Sequence, residues 1–223
     1  MYGKWFLHKV KKSIDDINKN IYEHKRNKNK RKLKNRDFTI ISNNCWAGSV
    51  YRYFDLPYQT PTVGLYFFAE DYLKFISDLR YYLSLDLEFI DYSQSKYKDV
   101  LEKRNHNIKP IARLDDVEIV FLHYKTHEEA KEKWERRKER INYDNMIIKF
   151  SQMNLCTRKE LEKFDEFPFD KKFVFVTEKN HKLNSGIYFS GYEGKEEIIL
   201  DSKPFPKDIN ILKLLNKEPC KYL

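Results

Sequence analysis

Short apolar runs that alternate with amphipathic stretches constrain the fold of this chain more than any other feature of its sequence. Residues 38–42 (FTIIS), 116–124 (DVEIVFLHY) and 145–150 (NMIIKF) are rich in β-branched and aromatic residues, as buried strands are. Between such runs, apolar residues recur at the three- and four-residue spacings of a helix, for example over 69–84. This alternation favours a sheet covered by helices. We therefore predict an α/β fold, a three-layer α/β/α arrangement with a mostly parallel or mixed sheet.

Local patterns place the other elements of the domain. Thr126 followed by Glu129, and Thr157 followed by Glu160, are capping-box patterns that predict the first turns of two helices. The remaining predicted elements are helices at 46–54 and 207–216, strands at 64–68 and 171–178, and a hairpin over 186–200.

The N-terminal segment differs from the rest in charge. Residues 1–36 hold thirteen Lys and Arg against three acids, whereas residues 37–223 hold thirty against thirty-one. The net charge of +9 therefore belongs to a basic arm, and the single α/β domain over 37–223 is nearly neutral. This balance, without a recognised nucleic-acid module, predicts no nucleic-acid partner.

Within the arm, an apolar stripe predicts a helix over residues 4–23, formed by Leu7, Val10, Ile14, Ile17 and Ile21. The charged residues 24–36 lack such a stripe and are predicted to be an extended or frayed connector. A helix of this type either packs on the domain or lies on an anionic membrane, and both alternatives stay open.

Three cysteines, Cys45, Cys156 and Cys220, lack the even number and paired spacing of a disulfide framework or a cysteine zinc site. The N-terminus has no apolar stretch of signal-peptide length, and no run of about eighteen apolar residues occurs to span a bilayer. These features predict a cytoplasmic protein, with peripheral contact at the inner membrane face through residues 1–36 as one alternative.

Familiar catalytic motifs are missing from the sequence. It has no P-loop, no G-x-G-x-x-G, no G-x-S-x-G and no H-E-x-x-H. His123 and His127 have an H-x3-H spacing, but no third ligand accompanies them, so we predict no metal site. The residues indicate no particular cofactor.

The first candidate site follows the first predicted strand of the domain. Open α/β sheets bind ligands at the carboxyl ends of their strands, and this position holds Asn43, Asn44, Cys45 and Trp46. A cysteine before a helix can be a nucleophile, and the asparagines and the tryptophan can bind a substrate. Alternatively, the asparagines turn the chain while Cys45 and Trp46 pack inside.

The second candidate lies at the end of the 116–124 strand. His123 is the preferred general base because imidazole titrates near neutral pH, and Tyr124 beside it is a candidate substrate ligand. If this strand runs parallel to the first, His123 and Cys45 share one sheet edge. A purely structural hydrogen bond of His123 is the alternative.

The third candidate is the arginine group Arg136, Arg137 and Arg140 on the helix after Thr126. Arginine can bind a phosphate or carboxylate through two parallel hydrogen bonds. Alternatively, these arginines belong to an ordinary exposed helix face with i,i+4 ion pairs such as Glu132 to Arg136. Arg137 shares the inward side with Trp134, so it is the predicted substrate ligand, and if buried it needs a carboxylate, Asp115 or Asp144.

Three blocks of the chain together resemble one bacterial family of unknown function, often labelled exopolysaccharide or capsular polysaccharide biosynthesis protein. The blocks are FTIISNNCWAGSVYRYFDLPYQTPTVGLYF, FLHYKTHEEAKEKWERRKERINYDN and CTRKELEKFDEFPF, and the resemblance covers residues 36–190, without the arm. It implies a setting in surface glycan assembly, with a glycan or activated-sugar ligand, and no mechanism.

Two functions follow as hypotheses. The first is an acyl- or glycosyltransferase that uses His123 and Cys45 on a surface polysaccharide. The second is a non-catalytic glycan-binding or scaffold protein of the same pathway, which would use the same asparagine and aromatic groups but need no base.

Overall fold

The computed structural model describes residues 2–201 and 209–216. The helices are α1 (Tyr2–Lys32), α2 (Trp46–Phe54), α3 (Ala69–Ser77), α4 (Leu79–Ser84), α5 (Lys98–Lys103), α6 (His127–Lys138), α7 (Arg158–Glu166) and α8 (Ile211–Leu215). The strands are β1 (Thr39–Ser42), β2 (Tyr66–Phe67), β3 (Glu88–Ile90), β4 (Ile111–Leu114), β5 (Val117–Val120), β6 (Met146–Ser151), β7 (Lys172–Val176) and β8 (Gly186–Tyr188).

The strands form two separate sheets. One is parallel, with the order β1-β6-β7-β8, and the other is antiparallel, with the order β2-β5-β4-β3. The α/β class is confirmed, but the single mostly parallel or mixed sheet is replaced by two four-stranded sheets. The three-layer arrangement stays a prediction.

The 116–124 strand is not part of the parallel sheet, contrary to prediction. Asp115 adopts a left-handed conformation, with φ of 54°, and turns β4 directly into β5, so that Leu114 pairs with Val117. Val117 and Ile119 pack into the main core, and Val120 packs into a small cluster on the other side. Because both faces are covered, the strand is apolar except for the buried Glu118, although it is antiparallel.

The parallel sheet also buries both faces. Ile40, Ile147 and Phe175 pack with Trp46 of α2, in a cluster that extends to α8. Ile41, Ile148 and Phe150 alternate with them along the strands and pack into the main core with residues of α3 and α7. This same core holds side chains of the antiparallel sheet, so one apolar cluster joins the two sheets.

The arm is a single long helix rather than a helix and a connector, because α1 continues through the basic run to Lys32. Lysine, arginine and asparagine do not break a helix. The second half of α1 is fixed to α2: Arg26 and Lys30 both pair with Asp55, and Asn29 donates to the Tyr53 hydroxyl at 2.9 Å.

Of the two alternatives for the apolar stripe, packing on the domain is not seen for the four stripe side chains whose exposure is described. The side chains of Val10, Ile14, Ile17 and Ile21 are 39%, 52%, 57% and 62% exposed. The helix uses a different, polar face to contact α2, so its apolar stripe stays in solvent.

Two further predictions are corrected. The helix over 69–84 is broken at Asp78, which leaves the helical conformation with φ of −141° and ψ of 68° and caps α4 by accepting from the Tyr81 amide. The hairpin over 186–200 is replaced by a lone strand, β8, which pairs in parallel with β7.

Both predicted helix starts are confirmed. Thr157 and Glu160 form the reciprocal capping box, whereas Thr126 accepts from the Glu129 amide and the Glu129 carboxylate accepts from the Lys125 amide instead. Among the described helices, none is long and apolar enough to cross a bilayer.

Candidate functional site

A pocket of about 180 Å³ gathers residues from four separate parts of the domain. The first three parts are the loop after β1, helix α2 and the loop before β2. The fourth part runs from the end of β5 through α6. The lining residues are Cys45, Arg52, Tyr58, Val63, Gly64, His123, Tyr124, Lys133 and Arg137. Of the predicted site residues, Cys45, His123, Tyr124 and Arg137 therefore meet here.

The loop before β2 holds these parts together. The His123 amide donates to the Gly64 carbonyl at 2.9 Å, and the Cys45 thiol lies 3.6 Å from the Leu65 carbonyl. Gly64 has φ of +80°, and a Cβ on it would lie 2.8 Å from the Tyr124 ring. Only glycine fits this position, so the pocket wall depends on it.

The side chain of His123 is exposed at the pocket. Its pKa is lowered from the usual 6.5 by partial burial of the imidazole and by the positive charges of Lys109 and Arg52. Because the ring is neutral at pH 7, it can accept a proton from a substrate hydroxyl.

Cys45 is half-buried, and burial together with the Asp201 carboxylate raises the pKa of its thiol to about 11. The thiol is therefore protonated at neutral pH, whereas a nucleophilic cysteine needs a lowered pKa. A catalytic role of Cys45 stays a prediction, and this pKa argues against it.

Arg137 is buried, 7% exposed, but it does not pair with a carboxylate as predicted. Its Nη1 donates to the Val63 carbonyl at 3.2 Å and to the Tyr124 hydroxyl at 2.5 Å. Its guanidinium also stacks over the Tyr58 ring, 4.8 Å from the centroid. Asp115, a predicted partner, instead accepts from the Tyr81 hydroxyl at 2.9 Å.

Asn43, Asn44 and Trp46 do not line the pocket. The Asn43 side chain pairs with the backbone of Ser151 at 3.1 and 3.2 Å and so extends the contact between β1 and β6. Trp46 is fully buried against Phe173 and Phe175. The alternative in which these residues turn the chain and fill the core describes their contacts.

Asn44 belongs to a buried polar cluster, which we define as Asn44, Lys149, Ser151 and Asp201. One oxygen of Asp201 accepts from Asn44 at 2.9 Å, from Ser151 at 2.6 Å and from the Lys149 ammonium. Lys149 also donates to the Asn44 side chain at 3.0 Å. The cluster lies at the carboxyl ends of β1 and β6, the edge where a site was predicted, but its residues do not line the pocket of about 180 Å³.

The charges of the buried polar cluster support each other. Burial acts to raise the pKa of Asp201, but the Lys149 ammonium and the hydrogen bonds outweigh it and leave that pKa lowered. Burial lowers the pKa of Lys149, and the carboxylate opposes this change. The cluster therefore holds an ion pair at neutral pH.

Arg52, Lys149 and Asp201 were not among the predicted site residues. A lysine inside the apolar run NMIIKF was a usable signal, because a buried lysine requires a partner. Asp201 gave none, since it is fifty-two positions from Lys149 in the chain.

Within residues 2–201 and 209–216, no group of three His, Cys, Asp or Glu side chains is arranged to hold a metal ion. His127 stacks on the Phe89 ring, 4.4 Å between centroids.

Comparison with known proteins identifies the family. The family model described as a domain of unknown function, DUF1919, matches residues 16–217. An uncharacterized protein of Haemophilus influenzae is 30% identical over 168 residues, which are 75% of this chain and 75% of the relative. The match begins inside α1, so the family domain includes half of the arm, contrary to the expected limits of 36–190.

Proposed function

We propose that this chain, which belongs to the DUF1919 family, is a transferase that modifies or builds a bacterial surface polysaccharide at the pocket of His123. One observation carries the proposal: a neutral, exposed histidine lies in a pocket with Tyr124 and two arginines. The polysaccharide setting is supported by the resemblance of the three sequence blocks.

The chemistry assigned to His123 is general-base catalysis. A sugar hydroxyl seated against the imidazole gives up its proton to the ring as the hydroxyl oxygen attacks the acyl or glycosyl donor. The half-buried Tyr58 supplies an aromatic side chain beside which a sugar ring packs, and Arg137 holds the hydroxyl of the buried Tyr124 in place. Cys45 acts in this scheme as a neutral wall residue, since its thiol is protonated.

We place the reaction at the cytoplasmic face of the inner membrane, where lipid-linked glycans are available. The exposed apolar stripe of α1 and the cations around it support contact with anionic lipid. The pocket residues belong to the domain and not to the arm, so membrane contact and transfer are separable.

A transfer assay tests the function. The protein is incubated with radiolabelled acetyl-CoA or sugar nucleotides and a lipid-linked glycan, and label in the acceptor is measured. Replacing a general base costs about a hundredfold or more in rate, which is the expected loss for His123→Ala. His127→Ala is the matched control, because His127 lies four positions along the chain and outside the pocket.

Equal rates for His123→Ala and His127→Ala would reject His123 as the base. Absence of transfer to any acceptor, with glycan affinity kept in His123→Ala, would instead support the non-catalytic glycan-binding function.

A further inference from the structure

The pocket is lined by cations and by no acidic side chain. Arg52 of α2 and Lys133 and Arg137 of α6 reach it, and its lining contains neither Asp nor Glu. Lys133 is neutralised by Glu129, its i,i+4 partner on α6. The two arginines are not: in the described part of the chain, no carboxylate lies within 4 Å of either guanidinium.

The arginines also keep hydrogen-bonding capacity. A guanidinium has five N–H donors, and Arg137 uses Nη1 alone for the Val63 carbonyl and the Tyr124 hydroxyl. Arg52 is exposed and donates from Nη2 to the Ser49 hydroxyl at 3.0 Å. Within the described residues the remaining donors of both form no hydrogen bond, and planar guanidinium groups favour oxyanions with several oxygens, such as phosphate.

The size of the pocket limits what it can hold. Its volume of about 180 Å³ is that of roughly six waters at about 30 Å³ each. Complete small-molecule sites measure about 300–1,000 Å³. The pocket therefore accommodates a phosphate or pyrophosphate group, with the remainder of the molecule outside.

We propose that Arg52 and Arg137 bind the phosphate or pyrophosphate group of the transferase's activated donor. The identification of the ligand as a transferase donor rests on the proposed function. The anion site itself does not depend on it. Two sources offer this chemistry: a nucleoside diphosphate sugar, and a prenyl-pyrophosphate-linked sugar. In either case the two cations neutralise the charge that develops on the departing phosphate oxygens, beside the base His123.

Binding is tested by calorimetry on the full chain with three probes: inorganic pyrophosphate, uridine diphosphate and farnesyl pyrophosphate. We expect pyrophosphate to bind and affinity to fall with added salt. Each arginine makes charge-assisted bonds of about 1.5–3 kcal/mol, so Arg52→Gln and Arg137→Gln should weaken binding by about ten- to a hundredfold. Tighter binding of uridine diphosphate or of farnesyl pyrophosphate than of pyrophosphate identifies the source.

Arg136→Gln is the control, because Arg136 lies on the outer face of α6 and pairs with Glu132. Arg137 is buried, and its replacement can disturb folding, so exposed Arg52 provides the decisive variant. Lack of binding by all three probes at millimolar concentration, or binding by Arg52→Gln equal to that of Arg136→Gln, would overturn the site.

The two proposals fail separately. Transfer that depends on His123 without pyrophosphate binding removes the phosphate site and leaves the base. Pyrophosphate binding with full transfer by His123→Ala removes the base and leaves the phosphate site.

Discussion

At the scale of single residues, Lys149 and Asp201 show how a buried charge is tolerated in this core. Taking either ion out of water costs several kcal/mol, and the cost is offset only while the partner and its hydrogen bonds remain. Asn44 and Ser151 supply those bonds. Asp201 thereby attaches the segment after β8 to the carboxyl ends of β1 and β6.

Asp201→Asn should destabilise the domain by about 3–5 kcal/mol, because the Lys149 ammonium is left buried without a counterion. For a chain of this size, this lowers the melting temperature by roughly 6–20 °C. Thermal unfolding at pH 7 measures it, with the exposed Asp170→Asn as control. Adding Lys149→Met should recover part of the loss, and an unchanged melting temperature for Asp201→Asn would contradict the buried pair.

The same ion pair determines how the stability of the domain changes at acid pH. The pKa of Asp201 is below its ordinary value of 3.8, so its contribution is complete above that value. The contribution is lost as pH falls through the lower, folded-state pKa.

At the scale of elements, α1 differs from the helices that bury their apolar side against the sheets. Its apolar stripe faces solvent, while its second half is held on α2 through Arg26, Asn29 and Lys30. A helix gains most of its stability from packing of its apolar side. We therefore expect the unpacked stripe to bind a surface outside this chain. The thirteen Lys and Arg of residues 1–36 favour one that is negatively charged.

We therefore expect the protein to bind vesicles of anionic lipid and not vesicles of neutral lipid, with affinity that falls as salt shortens the Debye length. Co-sedimentation measures it. Ile17→Ser removes an exposed apolar side chain and should weaken binding, whereas the adjacent Asn18→Ser should not. Equal binding to both lipids would contradict the expected selectivity for anionic lipid. A stable dimer in solution that Ile17→Ser dissociates would contradict lipid contact and indicate that a second copy covers the stripe.

The elements that the sequence predicted well are those whose signals are local. The capping residues Thr126 and Thr157 and the apolar runs of β1, β6 and β7 depend on neighbours a few positions away. β5 was assigned to the wrong sheet because burial on both faces removes the alternation that distinguishes antiparallel strands. The parallel pairing of β8 with β7 depends on contacts outside residues 186–200, and no pattern within that segment indicates it.

At the scale of the whole molecule, the antiparallel sheet is inserted in the chain between β1 and β6 of the parallel sheet. This insertion brings His123, which follows β5, to Cys45, which follows β1, although the two strands share no sheet. The sequence therefore placed these two residues together for an incorrect topological reason. Arg52 could not be found at all, because only the fold turns that residue of α2 toward the histidine.

Neutral His123 is proposed as the base of a transfer reaction, and the pH dependence of the transfer rate tests this role. Because the pKa of His123 is lowered, we expect a constant rate near neutral pH and a fall on acidification, with an inflection below 6.5. His123→Ala should lose this inflection together with most of the rate, while His127→Ala keeps both. An inflection that persists unchanged in His123→Ala, or a rate that does not fall below pH 6.5, would contradict the claim.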